Sequence, residues 1–255
     1  MTGPHAPGRT TYPITVHQLA TSADLGAHAG RAAARVLAEA MDRPGPVRVL
    51  LAAAPSQRAT LHALAAATDL VGPRLEVFHM DDYIGLPRDA PQAFANWLER
   101  EFLGRLPHRP AFHRMQMSLD PQQAAARYAA ELGADPFDLV LCGIGVNGHI
   151  AFNEPGCDFA DPEPVRVIEM DTTSRQQQVD EGHFPELSAV PTHALTLTIP
   201  RVLHARRVIC SVPGAAKRAA VQATLAGEPS PEVPATALKL HPSVDLYLDR
   251  ESCPR

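Results

Sequence analysis

The sequence predicts an α/β fold, a mostly parallel sheet with helices on both faces, and three observations carry that prediction. Apolar runs of strand length, such as those over Val47–Ala53 and Val208–Val212, recur along the chain without alternation, as in strands buried on both faces. Segments with helical spacing and recognisable caps lie between them. Polar, glycine-rich sequence follows some of these runs directly, at the carboxyl ends where open parallel sheets bind ligands.

Taken in order, residues 1 to about 12 read as a disordered arm. Thr21 or Ser22 caps an alanine-rich helix to about Met41, with Leu25, Ala29, Ala32, Val36 and Leu37 at helical spacing and Pro44-Gly45-Pro46 as its stop. The strand over Val47–Ala53 ends at Ala54-Pro55-Ser56, where Ser56 caps a helix from Gln57 to about Thr68. Leu75–Phe78 is the next strand, and His79-Met80-Asp81-Asp82-Tyr83 follows at its carboxyl end. Pro91 opens a helix to about Leu103. Asp120-Pro121-Gln122-Gln123 has an Asp cap, a proline in the first turn and a glutamine in the capping-box position, and Gly133 ends that helix. Asp138–Cys142 reads as the central strand. Residues 157–191 have weak periodicity and many charges and glutamines, the profile of a mobile lid or of a surface excursion. Ala194–Thr198 and Val208–Val212 read as strands, each followed by a helix, the second helix running from Ala215 to about Leu225. Val244–Leu248 is the last strand, and residues 13–255 make one expected domain.

Composition narrows the function classes. A chain of 255 residues, 45% of them hydrophobic, has ample material for a continuous core. A net charge of -5 exerts no long-range pull on nucleic acid or an anionic membrane, so the expected partners are small molecules. No apolar run approaches the roughly 20 residues that span a bilayer, and Met1 to Thr11 lacks the apolar core of a signal peptide. The expected location is cytoplasmic. Cys142, Cys157, Cys210 and Cys253 show no C-x-x-C spacing and read as reduced structural thiols. The 25 prolines lie at element boundaries as punctuation.

The chemistry concentrates between Asp138 and Gly156, where the central strand runs into Gly143-Ile-Gly-Val-Asn-Gly-His-Ile-Ala-Phe-Asn-Glu-Pro-Gly156. Gly143 to Gly148 matches G-x-G-x-x-G, but a dinucleotide fingerprint needs its last glycine inside a helix, and Asn153-Glu154-Pro155-Gly156 breaks the chain too soon. His79, Asp81, Asp82, His149 and Glu154 include metal-ligating types, yet no H-E-x-x-H or similar spacing orders them. Acid/base chemistry without a cofactor is the third reading. Asp81 at one strand end and His149 with Glu154 at another suit proton transfer beside a sugar carbonyl. Taken singly, the aspartates as helix caps and His149 as a core histidine would be the blander account; their coincidence on one sheet edge favours a site.

Met80-Asp81-Asp82-Tyr83-Ile84-Gly85-Leu86, together with the Gly143–Gly156 stretch, resembles the glucosamine-6-phosphate deaminase (isomerase) family. The likeness extends through Val190–Thr198, the helix at Lys217 and Leu238-Lys-Leu-His241, and the sister 6-phosphogluconolactonases share a similar Gly-His stretch. The resemblance implies a three-layer αβα fold and cofactor-independent conversion of glucosamine 6-phosphate to fructose 6-phosphate and ammonia. It also implies roles. Asp81 would move the proton from C2 to C1, and His149 would open the pyranose ring, oriented by Glu154 and Asn147. Lys217, Ser56 and Arg175 would meet the phosphate, and the Gly143 backbone and Asp82 would lie along the sugar. No metal or cofactor is implied. Related enzymes range from monomers to hexamers, so a homo-oligomer is compatible with the resemblance.

Several positions depart from the family pattern. Asn147 stands where an aspartate is frequent, and an amide can still orient His149 through its carbonyl oxygen. Ala54-Pro55-Ser56 replaces a Gly-Gly-Thr phosphate turn, and Pro55 has no N–H to offer an anion. Ser56 and the following helix N-terminus remain available to an anion. Asp180 stands where the resemblance places a second phosphate-binding arginine. Cys157, Asp158 and Asp161 do not match an allosteric activator site known in some members, so no such activation is expected. A related isomerase or lactonase on another substrate, unphosphorylated amino sugars included, is the alternative activity; a non-catalytic sugar-binding protein is the other.

Overall fold

The computed structural model describes residues 10–67, 74–118 and 120–254. In chain order it contains β1 (Thr15–Leu19), α1 (Ser22–Met41), β2 (Val47–Leu51), α2 (Arg58–Ala66), β3 (Leu75–His79), β4 (Asp81–Tyr83), α3 (Phe94–Glu101), β5 (Ala111–His113) and α4 (Pro121–Leu132). There follow β6 (Leu139–Cys142), β7 (Val165–Glu169), α5 (Thr172–Asp180), β8 (His193–Leu197), α6 (Ile199–Leu203), β9 (Val208–Val212), α7 (Arg218–Ala226) and β10 (Val244–Asp249). Seven strands form one parallel sheet in the order β1-β10-β9-β6-β2-β3-β5.

The inner strands are buried on both faces because each alternates its side chains between two cores. Val47, Val49 and Leu51 of β2, with Leu139 and Leu141 of β6, pack with α1, α2 and α3 through Leu25, Leu61 and Trp97. Leu50, Val140 and Cys142 point the other way, toward Tyr128 of α4, Val202 of α6 and Val221 of α7. The result is a three-layer αβα architecture. Two outer helices start where their caps predict, whereas Ser56, expected to cap α2, lies within a single 3-10 turn before it and makes no capping bond. Thr21 accepts from the Asp24 N–H, and Asp120 accepts from those of Gln122 and Gln123. Gly26 lets α1 lie directly on α2, since a Cβ there would stand 2.3 Å from that of Ala59.

Four features differ from the sequence expectations. Thr15–Leu19, left unassigned by the sequence, is an edge strand paired with β10. Asp81 and Asp82 lie on a strand of their own, β4, which pairs antiparallel with β8 in a second sheet ordered β4-β8-β7. The strand near Ala194–Thr198 therefore belongs to this small sheet and not to the parallel one. Residues 157–191 hold regular structure, including β7 and α5. The arm expected at residues 1–12 falls mostly outside the described residues, as does Thr68; the Tyr12 N–H donates to the Lys239 carbonyl. Among the described residues no helix is long and apolar enough to cross a membrane.

Candidate active site

A parallel sheet brings all its carboxyl ends to one edge, and this one reverses its winding between neighbours β2 and β6. Such a switch point leaves a crevice between the two outgoing loops. Ala54 and Ser56 after β2, Gly143 and Gly145 after β6, and Asp81 of β4 line a cavity of about 60 Å³ there, joined by His149, Glu181 and Lys217. Gln177 and Gln178 of α5 close the cavity from outside. At that volume it is well below the roughly 300–1,000 Å³ usual for ligand pockets.

His149 lies flat on Gly145, where a Cβ would come within 2.2–2.4 Å of three ring atoms. Its Nδ1 is 2.8 Å from Asn147 Oδ1 and 2.8 Å from Ser174 Oγ. Asn147 Nδ2 and Ser174 Oγ each donate to Glu154 Oε2 at 2.8 Å. With the Asn147 amide nitrogen thus committed to Glu154, its carbonyl oxygen accepts from His149, which puts the imidazole proton on Nδ1 and leaves the Nε2 lone pair free. Burial, reinforced by the Lys217 charge, pushes the His149 pKa down to about 3. The ring is therefore a neutral base at physiological pH. Burial raises the Glu154 carboxyl above its ordinary value despite its two donors.

Asp81 is 6% exposed, and its carboxylate has no hydrogen-bond partner among the described residues. Burial first, and the neighbouring Asp82 charge second, raise its pKa well above the carboxylate range. His79 fixes its backbone: Nδ1–H donates to the Asp81 carbonyl at 2.9 Å, while Nε2 accepts from the Met115 N–H at 2.9 Å. That imidazole is held neutral by burial, its pKa lowered to about 4.

The expected site residues divide into two groups. Asp81, His149, Ser56, Gly143 and Lys217 line one cavity, with Asn147 and Glu154 directly behind His149. Asp82 and Arg175 do not line it. Asp82 accepts the N–H groups of Tyr83, Phe94 and Ala95, which fastens the start of α3 to β4. Its pKa is nonetheless raised to about 6, because burial outweighs those bonds. Arg175 donates from Nη2 to the Leu187 and Val190 carbonyls at 2.8 Å, bracing the turn after α5. Sequence reasoning missed Ser174, Gln177, Gln178 and Glu181. They fall at i, i+3, i+4 and i+7, the spacing of one helix face, but the face is polar and was masked by its surroundings. Lys217 pairs with Glu181 at 3.3 Å; burial lowers the lysine pKa, and Glu181 opposes that shift.

Residues 20–246 match the family model described as glucosamine-6-phosphate isomerases/6-phosphogluconolactonase. The chain belongs to this enzyme family. A glucosamine-6-phosphate deaminase of Bacillus cereus (strain G9842) is 35% identical over 179 residues, which is 70% of this chain and 67% of that protein. A solved monomeric glucosamine-6-phosphate deaminase superposes with a TM-score of 0.82 at 29% identity, covering 94% of this chain and 98% of the other. The 6-phosphogluconolactonase of Thermotoga maritima shares the fold, with a TM-score of 0.75 at 17% identity over 93% of this chain and all of the other.

The contact between His149 and Gly145 has a direct consequence. Gly145→Ala forces the imidazole off its position, and kcat should fall about 100-fold, the usual cost of a misplacement near 1 Å. Circular dichroism should show an unchanged fold, because the added methyl meets a side chain rather than the sheet.

Proposed function

We propose that the chain isomerises a 2-amino-2-deoxyhexose from aldose to ketose with loss of ammonia. One observation carries this reading. An unpartnered carboxylate with a raised pKa and a neutral imidazole with a free Nε2 line one cavity, and neither is tied up by a structural bond on its reacting side.

The steps follow from those protonation states. His149 Nε2 takes the proton of the anomeric hydroxyl and passes it to the ring oxygen as the C1–O5 bond breaks, giving the open aldehyde. The Asp81 carboxylate then removes the C2 proton, the electron pair forms the C1–C2 double bond, and the aldehyde oxygen takes the proton released by the 2-ammonium group, giving an enolamine. Asp81 returns the proton to C1, leaving an imine at C2. Water adds to C2, the C–N bond breaks, and ammonia leaves with the ketose behind. A raised Asp81 pKa matches this work, since the group must accept a carbon-bound proton and then release it.

The relatives named above as glucosamine-6-phosphate deaminases supply one substrate, and glucosamine itself is its unphosphorylated counterpart. Incubation of the purified chain with glucosamine, galactosamine and their 6-phosphates should release ammonia and ketose in equal amounts from at least one of them. Reaction in D2O should place deuterium at C1 of the product in the fraction of turnovers in which the proton held by Asp81 exchanges with solvent before its return. No ammonia and no deuterium from any of the four sugars would rule the reaction out.

A further inference from the structure

The cavity has two ends, and the end around Lys217 is not furnished as a phosphate site. Lys217 is the one lysine or arginine among the described residues lining it, 7% exposed, and its charge is already met by Glu181 at 3.3 Å. Glu181 is not a loose side chain. Its Oε1 also accepts from Gln177 Nε2 at 2.7 Å, and Gln177 Oε1 accepts from the Val146 N–H at 3.0 Å, so the catalytic loop itself holds the carboxylate against the lysine. Asp180, where the family resemblance implies an arginine, is exposed and accepts from Gln176.

One buried acceptor at this end lacks a donor, and one partly exposed carboxylate oxygen beside it can accept from a ligand. Glu181 Oε2 has no partner among the described residues. Gln57 is 1% exposed, and its Nε2 is committed to the Ser211 carbonyl and to Ser56 Oγ, which fixes the amide orientation and leaves Oε1 buried without a donor. A phosphate dianion offers acceptors only, brings a second negative charge beside Glu181, and finds no N–H on Pro55. A hydroxyl group both donates and accepts. It can give its proton to Glu181 or Gln57 and receive one from Lys217 or Ser56.

We infer that the pocket takes an amino sugar whose far end is a free hydroxyl rather than a phosphate, with Glu181 the residue that discriminates. This rests on the proposed isomerisation and deamination and concerns only the group at C6. The anionic end of the substrate is thus replaced by an anionic residue of the protein.

Steady-state kinetics on the full chain test it. kcat/KM for glucosamine should exceed that for glucosamine 6-phosphate at least ~10-fold, the scale on which an unfavourable like-charge contact discriminates. Glu181→Gln, which keeps the shape and the Gln177 contact but removes the charge, should move that ratio toward the phosphorylated sugar at least ~10-fold. A wild-type preference for glucosamine 6-phosphate that Glu181→Gln leaves unchanged overturns the inference while leaving the reaction standing. Ammonia release from neither sugar is a different failure, that of the reaction. Thermal stabilisation gives a second reading independent of turnover: inorganic phosphate should stabilise the Glu181→Gln protein more than wild type, and equal stabilisation of both counts against the inference.

Discussion

Asp81→Asn should lower kcat by at least ~10³-fold and at the same time raise the thermal midpoint at pH 7. Both effects come from one fact, that a carboxylate is buried without a hydrogen-bond partner and next to another carboxylate. The amide keeps the shape but cannot accept the C2 proton, so the chemical step is lost while ring opening by His149 survives. On stability the sign runs opposite to that of a salt-bridged aspartate. The folded-state pKa is raised above the unfolded value, so the stabilising contribution is complete below the unfolded pKa and disappears as pH rises through the folded one. At neutral pH folding costs the wild-type carboxyl either the desolvation of its charge or the uptake of a proton, and Asn carries neither cost. The stability gain of Asp81→Asn should therefore shrink as pH falls into the ordinary carboxylate range. The same shift sets the activity profile: kcat/KM should drop on the acid side at a pH above that of an unperturbed carboxylate, and Asp81→Asn should erase that limb. Retained turnover with an unchanged acid limb would remove Asp81 from the chemistry.

The parallel sheet was legible because its signals are local. Leu139–Cys142 is apolar at every position, Val47–Leu51 and Val208–Val212 are so at all but Arg48 and Ser211, and the flanking Thr21, Asp120 and Gly133 mark helix ends by their own chemistry. The second sheet was not legible, since β4 is three residues long and finds its partner β8 more than a hundred residues away. No periodicity survives in so short a strand, and its pairing is a tertiary event. β1 was hidden for a related reason: an edge strand that is mostly exposed carries no apolar run to announce it. The half of the candidate site around His149 was readable because Gly143–Gly156 places His149, Asn147 and Glu154 within one short stretch. The distal half was not, because it is assembled from Gln57 after β2, Lys217 before α7 and Glu181 at the end of α5. The sequence drew attention to Asp180, one residue from the carboxylate that faces the lysine, and only the helical phase of α5 decides between the two.

His149→Gln should produce a different defect from Asp81→Asn, and the difference separates the two proton-transfer roles. Glutamine can neither take the anomeric proton nor pass it to the ring oxygen, so the enzyme must wait for sugar that has already opened in solution. Asp81 remains in place and processes each open molecule it meets. With the ring-closed sugar in large excess, kcat/KM should fall by ~10²–10⁴-fold, the range of a lost general acid/base. As His149→Gln enzyme is increased, the rate should stop rising and level off at the rate of spontaneous ring opening, whereas Asp81→Asn should stay slow and proportional to enzyme. Glu154→Gln should lie between these and wild type, because Asn147 and Ser174 still hold Nδ1 while their own anchor at Oε2 is weakened. A plateau at the spontaneous rate identifies His149 as the ring-opening base. Proportionality to enzyme throughout, with the C2 proton no longer exchanged in D2O, would instead assign it to the carbon-bound proton and leave Asp81 a subsidiary part.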